Sequence, residues 1–220
     1  MTHLISIIDN GMAICHSQYK FKENNDMNIA EMMAKIKEDI KQRCNSANNP
    51  YGPDIYYHIE CVVTNAVNLA ALHQADVEIC EIAAWFHDIA AVTDPNFCEE
   101  HHIYGADMAQ EILEAYGYPQ EKIDKVKVCI LNHRGSVLKE KLKKEEICVA
   151  DADAAAHFDM IPSLFYLAYM IHGLNQQDGI RFVREKLERT CYKMSLESKM
   201  YYKDKIEAAQ IILDYAFKNE

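Results

Sequence analysis

A chain of 220 residues, half of them hydrophobic and 26% charged, is long enough for one domain with a substantial core. Its formal charge of −11 excludes the basic face that general nucleic-acid binding requires, so an anionic ligand would depend on a cation or on a few local Lys and Arg. With only 7 Gly and 5 Pro, turns are few and elements long, which points to helices.

Residues 1–26 show no clear periodicity and read as a peripheral N-terminal segment. A first helix is predicted from Asn28 to Cys44, with Ile29, Met32, Met33, Ile36 and Ile40 on one face. The run NSANNPYGP ends it, and Asp54 is placed to cap a helix over 55–73 that carries His58 on its apolar stripe. Asp76 caps a helix over 77–91 containing the run CEIAAWFHDIAAV. Beyond VTDPNF, helices are expected at 99–116, 120–132, 141–159, 163–174, 178–191 and 195–217, the first of these stopped at Gly117. No stretch alternates convincingly as a strand, and no repeat is present. The expected fold is all-α: one bundle of about eight helices, with residues 1–50 as an N-terminal segment bearing one helix, 51–160 as the core, and 161–220 as helices completing the same domain.

The 8 Cys lie at 15, 44, 61, 80, 98, 129, 148 and 191, with no two within four residues, which excludes zinc-knuckle spacing. Scattered thiols fit a reduced compartment, and the N-terminal apolar run is too short for a secretory signal or a membrane span. The expectation is a cytoplasmic protein with no membrane partner. Oligomeric state is not legible.

His87 and Asp88 stand side by side within an apolar helix, where ionisable groups are costly unless satisfied. His58 lies upstream and Asp151 and Asp153 downstream, each on its own expected helix. Neutral imidazole and carboxylate together suit a divalent cation. Neighbouring helical residues diverge by about 100°, so His87 and Asp88 are expected to straddle a cation between helices.

The order H…HD…D on a helical core resembles the HD-domain superfamily of metal-dependent phosphohydrolases. The resemblance covers roughly residues 54–160: HIECVVTNAVNLA is similar to the first ligand helix, ICEIAAWFHDIAAV to the HD helix, HHIYGADMAQEIL and ILNHRG to two later family segments, and EEICVADADAAAHF to the last ligand helix. It implies His58, His87, Asp88 and Asp153 as metal ligands, with Asp151 as the alternative to Asp153. Ala154, Ala155 and Ala156 depart from the Arg-Leu-Asp that many relatives carry. By the same resemblance, His101 and His133 hold a second metal or face a substrate phosphate, the latter being preferred. Arg134 could clamp a phosphate in bidentate fashion.

The resemblance implies hydrolysis of a phosphoester or phosphoanhydride of a nucleotide-like small molecule by metal-activated water, with Asp88, His101, His133 and Arg134 as catalytic groups. The cation could be manganese, iron, cobalt, nickel, magnesium or zinc. The alternatives are a di-iron oxygenase on the same fold, or a catalytically silent metal- or nucleotide-binding module. His157 reads as a core or surface residue rather than part of the site, while His3, His16, His73 and His172 have no supporting context. Lys139, Lys141, Lys143 and Lys144 read as a solvated face, and Lys186, Lys193 and Lys199 as possible phosphate contacts.

Overall fold

The computed structural model describes residues 28–134 and 143–217, and within them the regular structure is helical. The expectations for residues 1–26, and for His3, His16, Lys139 and Lys141, fall outside the described residues. In chain order the helices are α1 (Ile29–Cys44), α2 (Ile55–His73), α3 (Val77–Phe86), α4 (Ile89–Thr93), α5 (His101–Ala115), α6 (Gln120–His133), α7 (Lys144–Asp159), α8 (Ile161–Tyr166), α9 (Gln176–Lys193), α10 (Leu196–Tyr201) and α11 (Lys203–Phe217). A 3₁₀ turn, Pro95–Phe97, joins α4 to α5, and a π turn, Leu167–Ile171, follows α8.

Local chemistry sets several boundaries. The Asn28 side chain accepts from Ala30 N and Glu31 N at the start of α1, and Asp76 accepts from Ile79 N at the start of α3. Asp54 precedes α2 but makes no side-chain capping bond, contrary to expectation. Helix α5 ends in a Schellman motif: Gly117 takes φ 71°, Gly117 N donates to Glu114 O, and Tyr118 N to Leu113 O.

The expected bundle is present, but three of its helices are divided. The segment 77–91 breaks at His87–Asp88, where Asp88 adopts φ −110° and ψ 11°. In a continuous helix the Ala84 carbonyl would accept from Asp88 N–H. Instead it accepts from the His87 ring through Nδ1 at 2.7 Å. The pair therefore sits at a junction between α3 and α4 rather than inside one helix. The segments 163–174 and 195–217 divide likewise, the first by passing into the π turn and the second at Tyr202.

Helix α7 packs most extensively on α2, and α6 packs on both α5 and α7. Close approach is possible because α7 buries small side chains, with Ala152, Ala155 and Ala156 fully inaccessible beside Cys148 and Val149. Ile59, Val62, Ala66 and Leu69 of α2 and Ile79, Ile82 and Phe86 of α3 join them in one continuous core. Far from the cleft described next, Asn65 on α2 donates to Asp159 at 2.9 Å and accepts from Tyr202 OH at 2.9 Å, tying α2, α7 and the last helices together. No helix among the described residues is long and apolar enough to cross a membrane.

Candidate metal centre

Four histidines and two aspartates from five elements converge at the floor of a cleft of about 670 Å³. From α2 and α7, His58 Nε2 stands 3.3 Å from Asp153 Oδ1. At the α3–α4 junction, His87 Nε2 lies 3.4 Å from Asp88 Oδ2. On the other side of the same carboxylate, Asp88 Oδ1 is 3.4 Å from His101 Nε2 and 3.9 Å from His133 Nε2. The break between α3 and α4 is what turns the adjacent His87 and Asp88 side chains into one space.

These donors form two groups that share Asp88: His58 with His87 and Asp88, and Asp88 with His101 and His133. Within each group the ligand atoms lie within 4.8 Å of one another, close enough to surround a single ion. The rings are held in a common way. Nδ1 of His87 faces Ala84 O at 2.7 Å, that of His101 faces Cys98 O at 2.8 Å, and that of His133 faces Ile130 O at 2.6 Å. A carbonyl only accepts, so each Nδ1 carries a proton and each Nε2 points to the centre, where the neutral ring presents a lone pair. Metal-binding imidazoles are oriented by this kind of outer hydrogen bond.

Two observations test the fit of a cation. His87 is 0% exposed, and its Nε2 makes no hydrogen bond, although Asp88 lies within ion-pair distance. Further, the Nε2 atoms of His101 and His133 are 3.2 Å apart, two lone pairs facing each other with nothing supplied by the chain to bridge them. A divalent cation resolves both, and the donor set suits one.

The electrostatics agree. Burial raises Asp88, but the imidazoles of His87, His101 and His133 outweigh it and hold the carboxyl far below its ordinary range. Burial likewise opposes ionisation of Asp153, whose pKa is nonetheless lowered by His157 and His58. For His87, burial favours the neutral ring, yet Asp88 and Asp153 push it up to about 9. His133 is driven down to about 4, chiefly by burial and then by His87, and remains a neutral donor.

Asp151 is not in the cluster. Its carboxylate turns away and accepts from Ser195 N at 3.0 Å, at the start of α10. Arg134 lines the cleft and donates through Nη1 to Glu99 O. His157, expected in the core or on the surface, lines the cleft with its ring 5.2 Å from His58 and its Nδ1 2.9 Å from Asp153 O. Its position four residues after Asp153 was the available signal, since i and i+4 share a helix face. Lys186 and Lys193 line the same cleft, whereas Lys199 donates to Tyr192 O. Tyr51, Tyr57 and Thr190, which carried no sequence signal, complete its walls.

The fold and centre define an all-helical domain whose His/Asp donors can hold a metal ion at the bottom of an open cleft. Residues 55–156 match the family model described as HD domain. The fold is similar to that of Bacillus subtilis YpgQ, with a TM-score of 0.64 at 19% identity over 86% of this chain and 96% of that one. YpgQ solved in complex with ADP matches with a TM-score of 0.58 at 20% identity, covering 83% of this chain and 97% of that one. A predicted HD superfamily hydrolase from an uncultured Thermotogales bacterium matches with a TM-score of 0.50 at 20% identity, covering 74% of this chain and 92% of that one. No curated protein sequence matches the chain.

Proposed function

We propose that the protein hydrolyses a phosphoester or phosphoanhydride of a nucleotide-like small molecule. The observation that carries this reading is the orphaned, fully buried Nε2 of His87 beside Asp88, at the floor of a cleft that also presents Arg134 and lysines. In this reading His58, His87, Asp88 and Asp153 hold a divalent cation. Such a cation polarises a phosphoryl oxygen and supplies a nucleophile near neutral pH.

The chain's own groups do the rest. Asp88, kept ionised by three imidazoles, remains a carboxylate that can ligate the cation. Arg134 offsets the charge that the phosphoryl group develops, and His101 and His133 contribute to that only with a proton or cation held between their Nε2 atoms. Arg134 keeps its remaining N–H groups for an anion while one is tied to Glu99 O. The net charge of −11 makes capture of an anion elsewhere on the surface unfavourable, which favours substrates read by the cleft alone. A nucleotide ligand is supported by the ADP bound to YpgQ.

The test is phosphate release over a panel of nucleotides and phosphoesters, using chelator-treated protein refilled with one divalent ion at a time. Metal-dependent release by wild type and none by Asp88→Ala is the expected result. Release that needs no metal, or that survives Asp88→Ala, contradicts the reading.

A second reading has one observation in its favour. The facing Nε2 atoms of His101 and His133, 3.2 Å apart, suit a second cation shared through Asp88. Two ions per chain with phosphate release then describe a dinuclear hydrolase. Two irons with oxygen consumption and no release describe the oxygenase alternative.

A further inference from the structure

Helix α9 brings a second set of polar side chains to the cleft that Arg134 also lines. Lys186, Thr190 and Lys193 all line it. Spaced i, i+4 and i+7, they fall on one face of the helix, and the lysine Cα atoms stand about 10.5 Å apart along the axis. Both lysines are half-buried and Thr190 is buried, so this face is not a solvated one.

The arginines of α9 differ from Lys186. Arg181 pairs with Asp178 at 3.0 Å, Arg184 with Glu188 at 2.9 Å, and Arg189 with Glu185 at 3.5 Å. Lys186 lines the cleft and makes no ion pair among the described residues. In a chain of net charge −11, a cation aimed into a cleft rather than at one of many carboxylates needs an anionic ligand.

We infer that Lys186, Thr190 and Lys193 form an anion subsite for the part of a condensed phosphate chain that does not react, which makes the substrate a phosphoanhydride rather than a monoester. The inference deepens the hydrolase reading above and rests on it. Asp88 and its imidazoles face the phosphoryl group under attack, and the α9 wall holds its neighbour. Wall and floor belong to one cleft, which the His157 ring also lines, 5.2 Å from His58.

The test titrates methylenediphosphonate, whose P–C–P link resists hydrolysis, and orthophosphate into manganese-loaded protein by calorimetry. Wild type is compared with Lys186→Gln, Lys193→Gln and Lys203→Gln, the last lying outside the cleft. Wild type is expected to bind the diphosphonate about tenfold more tightly than orthophosphate or better, by charge-assisted contacts to a second phosphoryl group. The gap should close in the first two variants and persist in Lys203→Gln, with bound manganese unchanged throughout. Equal affinities in wild type, or a gap that survives both cleft substitutions, overturns the subsite. Phosphate release by the same variants separates the two ideas. Phosphoanhydride hydrolysis indifferent to both lysines keeps the hydrolase and removes the subsite; lysine-dependent diphosphonate binding by a protein that hydrolyses nothing does the reverse.

Discussion

His101 and His133 present their Nε2 atoms to each other at 3.2 Å while Nδ1 of each ring faces a main-chain carbonyl, Cys98 O and Ile130 O. Both rings are therefore acceptors toward the same point, and the contact favours folding only when a cation or a proton lies between them.

Without metal, then, His101→Ala should be nearly neutral, within about 0.5 kcal/mol, because it removes a lone-pair opposition along with its packing. With metal the same variant should lose part of the stabilisation that wild type gains, about 2.7 kcal/mol when the ion is at 100 times its dissociation constant. Urea unfolding with chelator and with metal measures both. A large loss in chelator and none with metal contradicts the account.

The two aspartates of α7 should separate cleanly. Asp153→Asn removes a carboxylate from the cluster and should abolish or greatly weaken cation binding. Asp151→Ala should retain the cation but lose about 1–3 kcal/mol of stability, because Ser195 N loses its buried acceptor at the start of α10. Metal counting and urea unfolding on the two variants decide it, and a reversed pattern would assign the ligand to Asp151.

Cation affinity should rise with pH. His87 in the metal-free protein is pushed up to about 9, after burial, by Asp88 and Asp153, so near pH 7 it binds a proton on the atom the cation needs. Each pH unit below about 9 therefore lowers apparent affinity about tenfold from this group alone, and binding releases a proton. Calorimetry in buffers of different ionisation enthalpy detects that proton; its absence at pH 7.5 contradicts the assignment.

The stability of the chelated protein should peak near the ordinary imidazole pKa of about 6.5. Above it, the folded state holds a proton on His87 that the unfolded chain has lost, so stability falls as pH rises toward about 9. Below it, the unfolded chain protonates His133 and His157, whereas burial keeps those rings neutral in the fold down to about 4 and about 3, so stability falls as pH falls. Saturating metal should remove the alkaline decline. Urea midpoints across this range, with and without metal, give the profile.

The candidate ligands were legible through the resemblance of their order to H…HD…D, and apolar periodicity by itself set only His58 on an inward face. The break at His87–Asp88 was not. CEIAAWFHDIAAV contains no Gly or Pro, and what interrupts the helix is a side chain taking over the Ala84 carbonyl, an interaction with no mark in hydrophobic patterning. The closeness of α2 and α7 was implicit in the alanines of ADADAAAHF, read at first only as a departure from relatives. His157 was passed over although it stands one turn beyond Asp153. Of the three lysines read as possible phosphate contacts, Lys186 and Lys193 line the cleft and Lys199 donates to Tyr192 O instead, a distinction that only the packing of α9 makes. The missing cap at Asp54 shows the converse, a local signal that tertiary packing leaves unused.

The most direct measurement counts bound divalent cation per chain, after equilibrium dialysis, in wild type, Asp88→Ala and Asp151→Ala, with helical circular dichroism checked on each. The account predicts at least one ion in wild type and in Asp151→Ala, and none in a folded Asp88→Ala. Full occupancy in Asp88→Ala would contradict it, because both donor groups depend on that carboxylate.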